Sequence, residues 1–356
     1  MAGNGNSWVK GSRVREPAEF MKPVIDPAGW TAADVAGSED WIYRLDEADT
    51  GELLSAVGAI SGRGLDIKDI ARDDFAVPKL APALAEIRDE LIFGRGFAKI
   101  AGLPLDGMSR AEAAAAFWGI GCHIGRQISQ NPKGHLLGHV KDLGGDYKDA
   151  NTRGYLTNQE MAFHNDQCDI LGLCCLHPAK SGGDHYIVSS VTLYNEMLRR
   201  RPDLVKEYDF SFYRSRKGEI PVGDEKPWNR QRIFNFTDGY FAARGVGASV
   251  FKAQDLPGVP EFTDAQKEAL DLYDTLTKEL AVPIRFERGD IFFLLNHVTL
   301  HSRTDYEDWP EPERKRHLLR LWLDTDGARP LPPEVARQSA GVRVEGMEFT
   351  APLDAE

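Results

Sequence analysis

Apolar positions along this chain keep two rhythms. "LAPALAEIRDELI" (80–92) repeats them at helical spacing and predicts an amphipathic helix. Ser109 with Glu112 forms a capping box ahead of "AAAAFWGIGCHIG", which predicts a second helix. A second box, Thr263 with Gln266, opens "DAQKEALDLYDTLTKEL", where Leu270, Tyr273 and Leu280 line one face. Elsewhere the rhythm shortens. "FAKIAGL", "DILGLCCL", "DHYIVSSV" and "RIFNFTDGYFAARG" are brief runs rich in β-branched or aromatic residues, bounded by Gly, Pro or Asp as strands are. "IRFERGDIFFLLNHVTLHSRT" predicts a strand, a Gly-Asp turn and another strand, and "RHLLRLWLDT" one more.

Helices in front, short strands behind and one helix inserted near 263–280 predict a mainly β protein with flanking helices, a β-sandwich or jelly roll. Strand–helix alternation and a GxGxxG turn are both missing, which argues against a dinucleotide-binding sheet. Residues 1–40, rich in Gly, Pro and polar side chains, are expected to form an N-terminal arm or tail. Residues 41–327 are expected to form a single domain with helical buttresses, and 328–356 a C-terminal tail.

Composition narrows the function. A hydrophobic fraction of 42% over 356 residues is enough for a sizeable core. The net charge of -12 argues against a nucleic-acid binder, which needs a basic footprint. No apolar run approaches the ~18 residues needed to span a bilayer, and the N-terminus lacks the apolar core of a secretory signal. Cys122, Cys168, Cys174 and Cys175 show no CxxC spacing, and the adjacent pair sits in an apolar run, where buried free thiols are expected. A cytoplasmic protein with a small-molecule partner fits best; a homo-oligomer stays open.

Candidate chemistry begins in "MAFHNDQCDI" (161–170). On a strand, His164 and Asp166 would project to the same side and could share a metal. His301, 137 positions downstream in "NHVTLHSRTDYEDW", is the candidate third ligand. His297 is its rival, but four residues span ~13 Å along a strand, too far for both to reach one ion. His297 is therefore read as a hydrogen-bonded core or supporting residue. In "PERKRHLLRLWLDT", Arg316, Leu318, Arg320 and Trp322 share one strand face, and His317, Leu319, Leu321 and Leu323 share the other. Guanidiniums on a hydrophobic strand are costly unless they meet anions, so Arg316 and Arg320 are candidate anion binders. Arg314 and Lys315 are read as solvated. His135 and His139 have i, i+4 spacing, but nearby glycines and the lack of an HExxH pattern argue against a zinc helix. Tyr147, Asn151 and Tyr155, in the Gly- and Asn-rich stretch 130–160, carry nothing that separates them from solvated loop residues.

Taken in order, "FHND", "SGGDHYIVSS", "NHVTLHSRT" and "RHLLRLWL" resemble the taurine dioxygenase and TfdA-like group of iron(II)/2-oxoglutarate oxygenases, over roughly 94–326. The resemblance implies a double-stranded β-helix core, a cupin-like jelly roll. It implies His164, Asp166 and His301 as iron(II) ligands, with 2-oxoglutarate and O2 as co-reactants. It places Arg316 against the far carboxylate of 2-oxoglutarate and Arg320 against substrate or cosubstrate. Where the family often has a Thr contacting 2-oxoglutarate, this chain has His185, which could still donate a hydrogen bond. Stretch 130–160 falls where the family carries substrate loops and lids. An intact Asp166 favours hydroxylation or desaturation over halogenation, and a second arginine suits a small anionic substrate. Two other classes stay in view: a metal-dependent isomerase or lyase with no use for Arg316, and a non-catalytic small-molecule binder. Binding of 2-oxoglutarate separates them.

Overall fold

Two β-sheets account for most of the apolar runs. In the computed structural model, which describes residues 7–145, 153–216, 225–344 and 346–355, the larger sheet has the order Ile42–Arg44, Phe97–Ala101, Ile291–Leu295, Ile170–His177, His317–Asp324, Arg126–Gln127. Leu137–Val140 also pairs with His317–Asp324. The smaller sheet runs Val282–Ile284, His185–Ser189, Thr299–Arg303, Met161–His164. From Met161 onward the chain passes back and forth between the sheets, which makes a double-stranded β-helix flanked by helices, as expected.

The larger sheet is covered on both faces, so its strands read as nearly continuous apolar runs rather than alternating ones. On His317–Asp324, Leu319, Leu321 and Leu323 pack outward into the cluster that holds Phe117, Ile120 and Ile124 of helix Arg110–Ile124. Leu318 and Trp322 face the other way, among Ile187, Val282 and Ile284 of the smaller sheet. Full burial of each such leucine contributes roughly 1.5–3 kcal/mol. Helices are found at Ala81–Phe93, Arg110–Ile124 and Asp264–Glu279, the last two capped by Ser109 and Thr263 as the boxes predict. Two long helices were not expected: Glu47–Arg63, capped by Asp46, and Ser190–Arg200, capped by Ser189. The second begins directly where strand His185–Ser189 ends, so "DHYIVSSV" runs from one element into the other.

One expected strand is two. Ile291–Leu295 belongs to the larger sheet and Thr299–Arg303 to the smaller, with a turn at 296–298 carrying the chain across. Asn296 holds this crossing: its side chain accepts from the Asp166 amide (3.0 Å) and donates to the Cys168 carbonyl (3.1 Å). His297 therefore lies in the crossing rather than on the strand of His301. Stretch 130–160, which falls where the family carries substrate loops and lids, includes strand Leu137–Val140 and is anchored there; Tyr147 and Asn151 lie outside the described residues.

Both ends of the described chain are tied to the core. Ala18, Val24 and Ala28 are buried in it, and Asp26 forms a fully buried ion pair with Arg329 at 2.7 Å. Near the other end, Asp354 pairs with Arg110 and Lys141.

Candidate active site

His164 is the last residue of strand Met161–His164, and its register partner across the smaller sheet is His301. Their rings lie 4.2 Å apart between centroids. Asp166 sits just past the strand end, so strand alternation does not aim it as expected; four separate contacts do. Its amide donates to Asn296 and its carbonyl accepts from Arg244 Nη1 at 2.7 Å. Its Oδ2 accepts from the Trp322 indole at 2.8 Å and from Arg320 Nη1 at 3.4 Å. Its Oδ1 is left facing His164 Nε2 at 3.8 Å. One ligand atom from each of His164, Asp166 and His301 lies within 4.8 Å of the other two.

Protonation states suit a cation. Burial by itself raises the Asp166 carboxyl, but the Arg320 guanidinium and the other positive partners override it and hold the group at about 2, so it is a carboxylate. Burial pushes His301 down to about 3, so its imidazole is neutral and keeps a lone pair. His301 Nδ1 is buried with no hydrogen-bond partner. His164 Nδ1 lies 2.8 Å from the Ala162 carbonyl, which can only accept, so the proton sits on Nδ1 and the lone pair on Nε2. Two neutral imidazoles and one carboxylate, with an orphaned nitrogen among them, fit a divalent first-row metal with open coordination positions.

Arg316 is buried, and no carboxylate pairs with its guanidinium among the described residues. Its Nη2 donates to His185 Nε2 at 2.8 Å, its plane lies over the Tyr306 ring at 4.9 Å, and its Nη1 is buried without a partner. Because a guanidinium can only donate, His185 Nε2 accepts and the imidazole proton sits on Nδ1. Burial, then the Arg316 charge, drives His185 well below the usual histidine range, so it stays neutral. Gly182 (φ 68°) and Gly183 (φ 71°) make the preceding turn in the left-handed region. A Cβ at Gly183 would come within 3.1 Å of Arg316 Nε, so the turn must stay bare for the arginine to fit. Arg320 donates from Nε to Gln130 Oε1 (2.7 Å) and lies over the Tyr155 ring at 4.2 Å. Its anion within the protein is Asp166 itself.

His297 Nε2 donates to Asp169 Oδ1 at 2.7 Å, in the interior and apart from the three candidate ligands. His139 and His317 meet Asp354 in a second cluster with metal-like spacing. There His139 Nε2 donates to the Pro352 carbonyl (2.8 Å), so its Nδ1 accepts from His317 Nε2 (2.8 Å). Asp354 is already neutralised by Arg110 and Lys141. That cluster is a closed hydrogen-bond lock on the C-terminal residues.

His164 and Asp166 line a cleft of about 1540 Å³ that also exposes Arg320, Trp322 and Tyr155. Tyr155 and Trp322 were named from sequence without a role, and Gln130, Arg214 and Arg244 were not singled out. For the last two a signal existed: each is a lone arginine in or just after an aromatic or apolar strand, "FYRS" and "FAAR", the same anomaly that marks Arg320.

A jelly roll with two histidines and an aspartate converging beside a buried, unneutralised arginine defines a metal-dependent oxygenase of the iron(II)/2-oxoglutarate class. The chain belongs to the taurine catabolism dioxygenase TauD, TfdA family, whose profile matches residues 63–322. It is 30% identical over 329 residues to FR-33289 synthase of Streptomyces rubellomurinus, covering 91% of this chain and 97% of that protein. It is 29% identical to the taurine hydroxylase-like protein SAT17 of Stachybotrys chartarum, covering 88% and 83%. Its fold is similar to that of asparagine oxygenase in complex with Fe(II), 3-hydroxyasparagine and succinate (TM-score 0.63, 18% identity, 80% of this chain and 94% of that one). It is likewise similar to the non-heme iron oxygenase OrfP in complex with Fe and alpha-ketoglutaric acid (TM-score 0.61, 14% identity, 80% and 94%).

Proposed function

We propose that this chain couples oxidative decarboxylation of 2-oxoglutarate to hydroxylation, or desaturation, of a small anionic organic substrate. Iron(II) would be held by His164, Asp166 and His301. The chemistry supplied on binding iron and 2-oxoglutarate is the four-electron reduction of O2, with succinate and carbon dioxide as co-products. The observation that carries this assignment is the convergence of one ligand atom each from His164, Asp166 and His301 within 4.8 Å of one another.

The protein's own residues do the positioning. Trp322 and Arg320 occupy Asp166 Oδ2, which leaves Oδ1 as the oxygen offered to the metal. Arg316, with an unpartnered Nη1 and no acid beside it, is placed to take the far carboxylate of 2-oxoglutarate as a charge-assisted pair. His185 fixes that guanidinium from the side and keeps its Nδ1 proton as a donor. The four cysteines are free, which supports a reducing, cytoplasmic compartment. Among the described residues no helix is long and apolar enough to cross a membrane.

Anaerobic, metal-free protein given Fe(II) and then 2-oxoglutarate should develop a weak visible charge-transfer band at about 500 nm, the signature of a keto acid chelated to iron(II) in a His/carboxylate site. Iron bound in equal amount with no band would remove the oxygenase assignment and favour redox-neutral metal chemistry.

A further inference from the structure

Arg316 and Arg320 leave two other arginines of the cleft without a role. Arg214, on strand Phe212–Ser215, and Arg244, just past Tyr240–Ala243, both line the cleft, and each is more than nine-tenths buried. Neither pairs with a carboxylate among the described residues. Arg214 Nη2 donates to the carbonyls of Arg244 (2.7 Å) and Gly245 (2.9 Å), while its Nε is buried with no partner. Arg244 gives Nη1 to the Asp166 carbonyl. Burial and then their mutual repulsion push Arg214 down to about 9, which still leaves it charged at neutral pH. Two backbone carbonyls and a third hold these forks in place, but no carbonyl cancels a charge.

Charge counting defines what is missing. Three buried guanidiniums, Arg214, Arg244 and Arg320, face one carboxylate, Asp166. Arg316, an iron(II) ion and a 2-oxoglutarate dianion together add one more positive charge, so a surplus of three positive charges remains around the site. The whole lining repeats the bias: ten Lys and Arg against four Asp and Glu, in a chain whose net charge is -12. Such a concave, low-dielectric surface concentrates anions. A carboxylate or sulfonate neutralises one charge. A tetrahedral phosphoryl or phosphonyl group neutralises two, and its three oxygens can accept from two forks at once.

We propose that Arg214 and Arg244 form a substrate subsite for a doubly charged tetrahedral oxyanion, the phosphate or phosphonate group of the molecule to be oxidised. As a substrate subsite it rests on the oxygenase assignment above; as an anion site it stands on the cleft alone. Arg244 touches Asp166, so the anion lies close enough to the metal centre to fix which end of the substrate is presented.

Calorimetric titration of the full-length, iron-free protein tests it, with methyl phosphate, methylphosphonate, methanesulfonate and acetate as probes at about pH 8, where the phosphate is a dianion. The phosphorus probes should bind about 10-fold or more tighter than acetate and methanesulfonate, and Arg214→Gln and Arg244→Gln should each weaken them by about 10-fold or more. Arg126→Gln, at a surface strand end, should change nothing. A tighter methyl phosphate points to a phosphate ester and a tighter methylphosphonate to a carbon–phosphorus substrate; either supports the subsite. Should a Gln variant fail to fold, Arg214→Lys and Arg244→Lys keep the charge but lose the fork, and binding should still fall severalfold. Equal affinity for all four probes, or unchanged binding in the folded variants, overturns the proposal. The visible band with Fe(II) and 2-oxoglutarate is recorded on the same samples. A band without phosphorus binding removes the subsite and keeps the oxygenase; phosphorus binding without a band does the reverse.

Discussion

A single carboxylate organises the site. Asp166 has one oxygen tied down by Trp322 and Arg320 and the other turned toward His164, while Asn296 and Arg244 hold its backbone, so its position is set by neighbours from three distant segments. The two histidines of "NHVTLH" contrast with each other. His301 has a neutral ring, a buried Nδ1 with no partner and a ligand atom close to those of His164 and Asp166, whereas His297 is satisfied by Asp169. His301→Ala should therefore lose nearly all bound iron after desalting, while His297→Ala should keep about one iron per chain and lose roughly 1–3 kcal/mol of stability from the unpaired acid. Equal iron content in the two variants would refute the ligand assignment. The arginines of "RKR" divide in the same way. Arg314 stacks on the Trp309 ring at 3.6 Å and pairs with Glu311 at the surface, whereas Arg316 is buried and unneutralised. Arg316→Ala should raise the apparent KM for 2-oxoglutarate about 100-fold, against about threefold or less for Arg314→Ala. Similar effects in initial-rate measurements would mean that the cosubstrate lies elsewhere.

At the scale of elements, the strands were legible because burial on both faces writes apolar runs into them, and the capped helices because Ser109 and Thr263 mark their starts. The crossing at 296–298 was not legible. "IFFLLNHVTLH" carries no Gly or Pro where it changes sheet, and only the Asn296 side chain, bonded to residues 130 positions away, shows the break. Helix Arg110–Ile124 carries a tertiary demand of the same kind at Gly119. A Cβ there would lie 2.3 Å from the Phe75 ring, at the ring's attached carbon rather than its free end. Alanine is the better helix former by about 1 kcal/mol, yet Gly119→Ala should destabilise the protein by about 1–3 kcal/mol through overpacking. A chemical-denaturation midpoint that rises in this variant would show that Phe75 can swing aside.

Across the whole molecule, the two ends of the chain brace the jelly roll. Asp26 and Arg329 join the N-terminal arm to the region after the last large-sheet strand, and His139, His317 and Asp354 lock the C-terminal residues onto Leu137–Val140. The lock has a pH dependence of defined sign. Burial and then His139 depress His317 to about 3, so the folded state holds it neutral while the unfolded chain protonates it near 6.5. Its contribution is complete above about pH 6.5 and is lost as pH falls toward 3, at up to about 1.4 kcal/mol per pH unit. His317→Gln should flatten the fall in denaturation midpoint between pH 6.5 and 4. An unchanged slope would place the acid sensitivity in other buried groups, Asp26 among them, whose carboxyl Arg329 holds low against the effect of burial.

By itself the sequence determined the class of fold, the presence of a His-x-Asp and distant-His set, and the two arginines on the last strand, because each is local: burial imprints periodicity, and a charge on an apolar strand stands out among its neighbours. Tertiary structure alone decided which way those side chains are used. Only the folded chain sends His297 to Asp169 and leaves His301 open, takes up Asp166 Oδ2 with Trp322 and Arg320, puts His185 against Arg316, and gathers Arg214 and Arg244 from separate strands into one cleft. Those pairings join residues more than a hundred positions apart, or from separate strands, and no spacing along the chain encodes which two charges will meet in space.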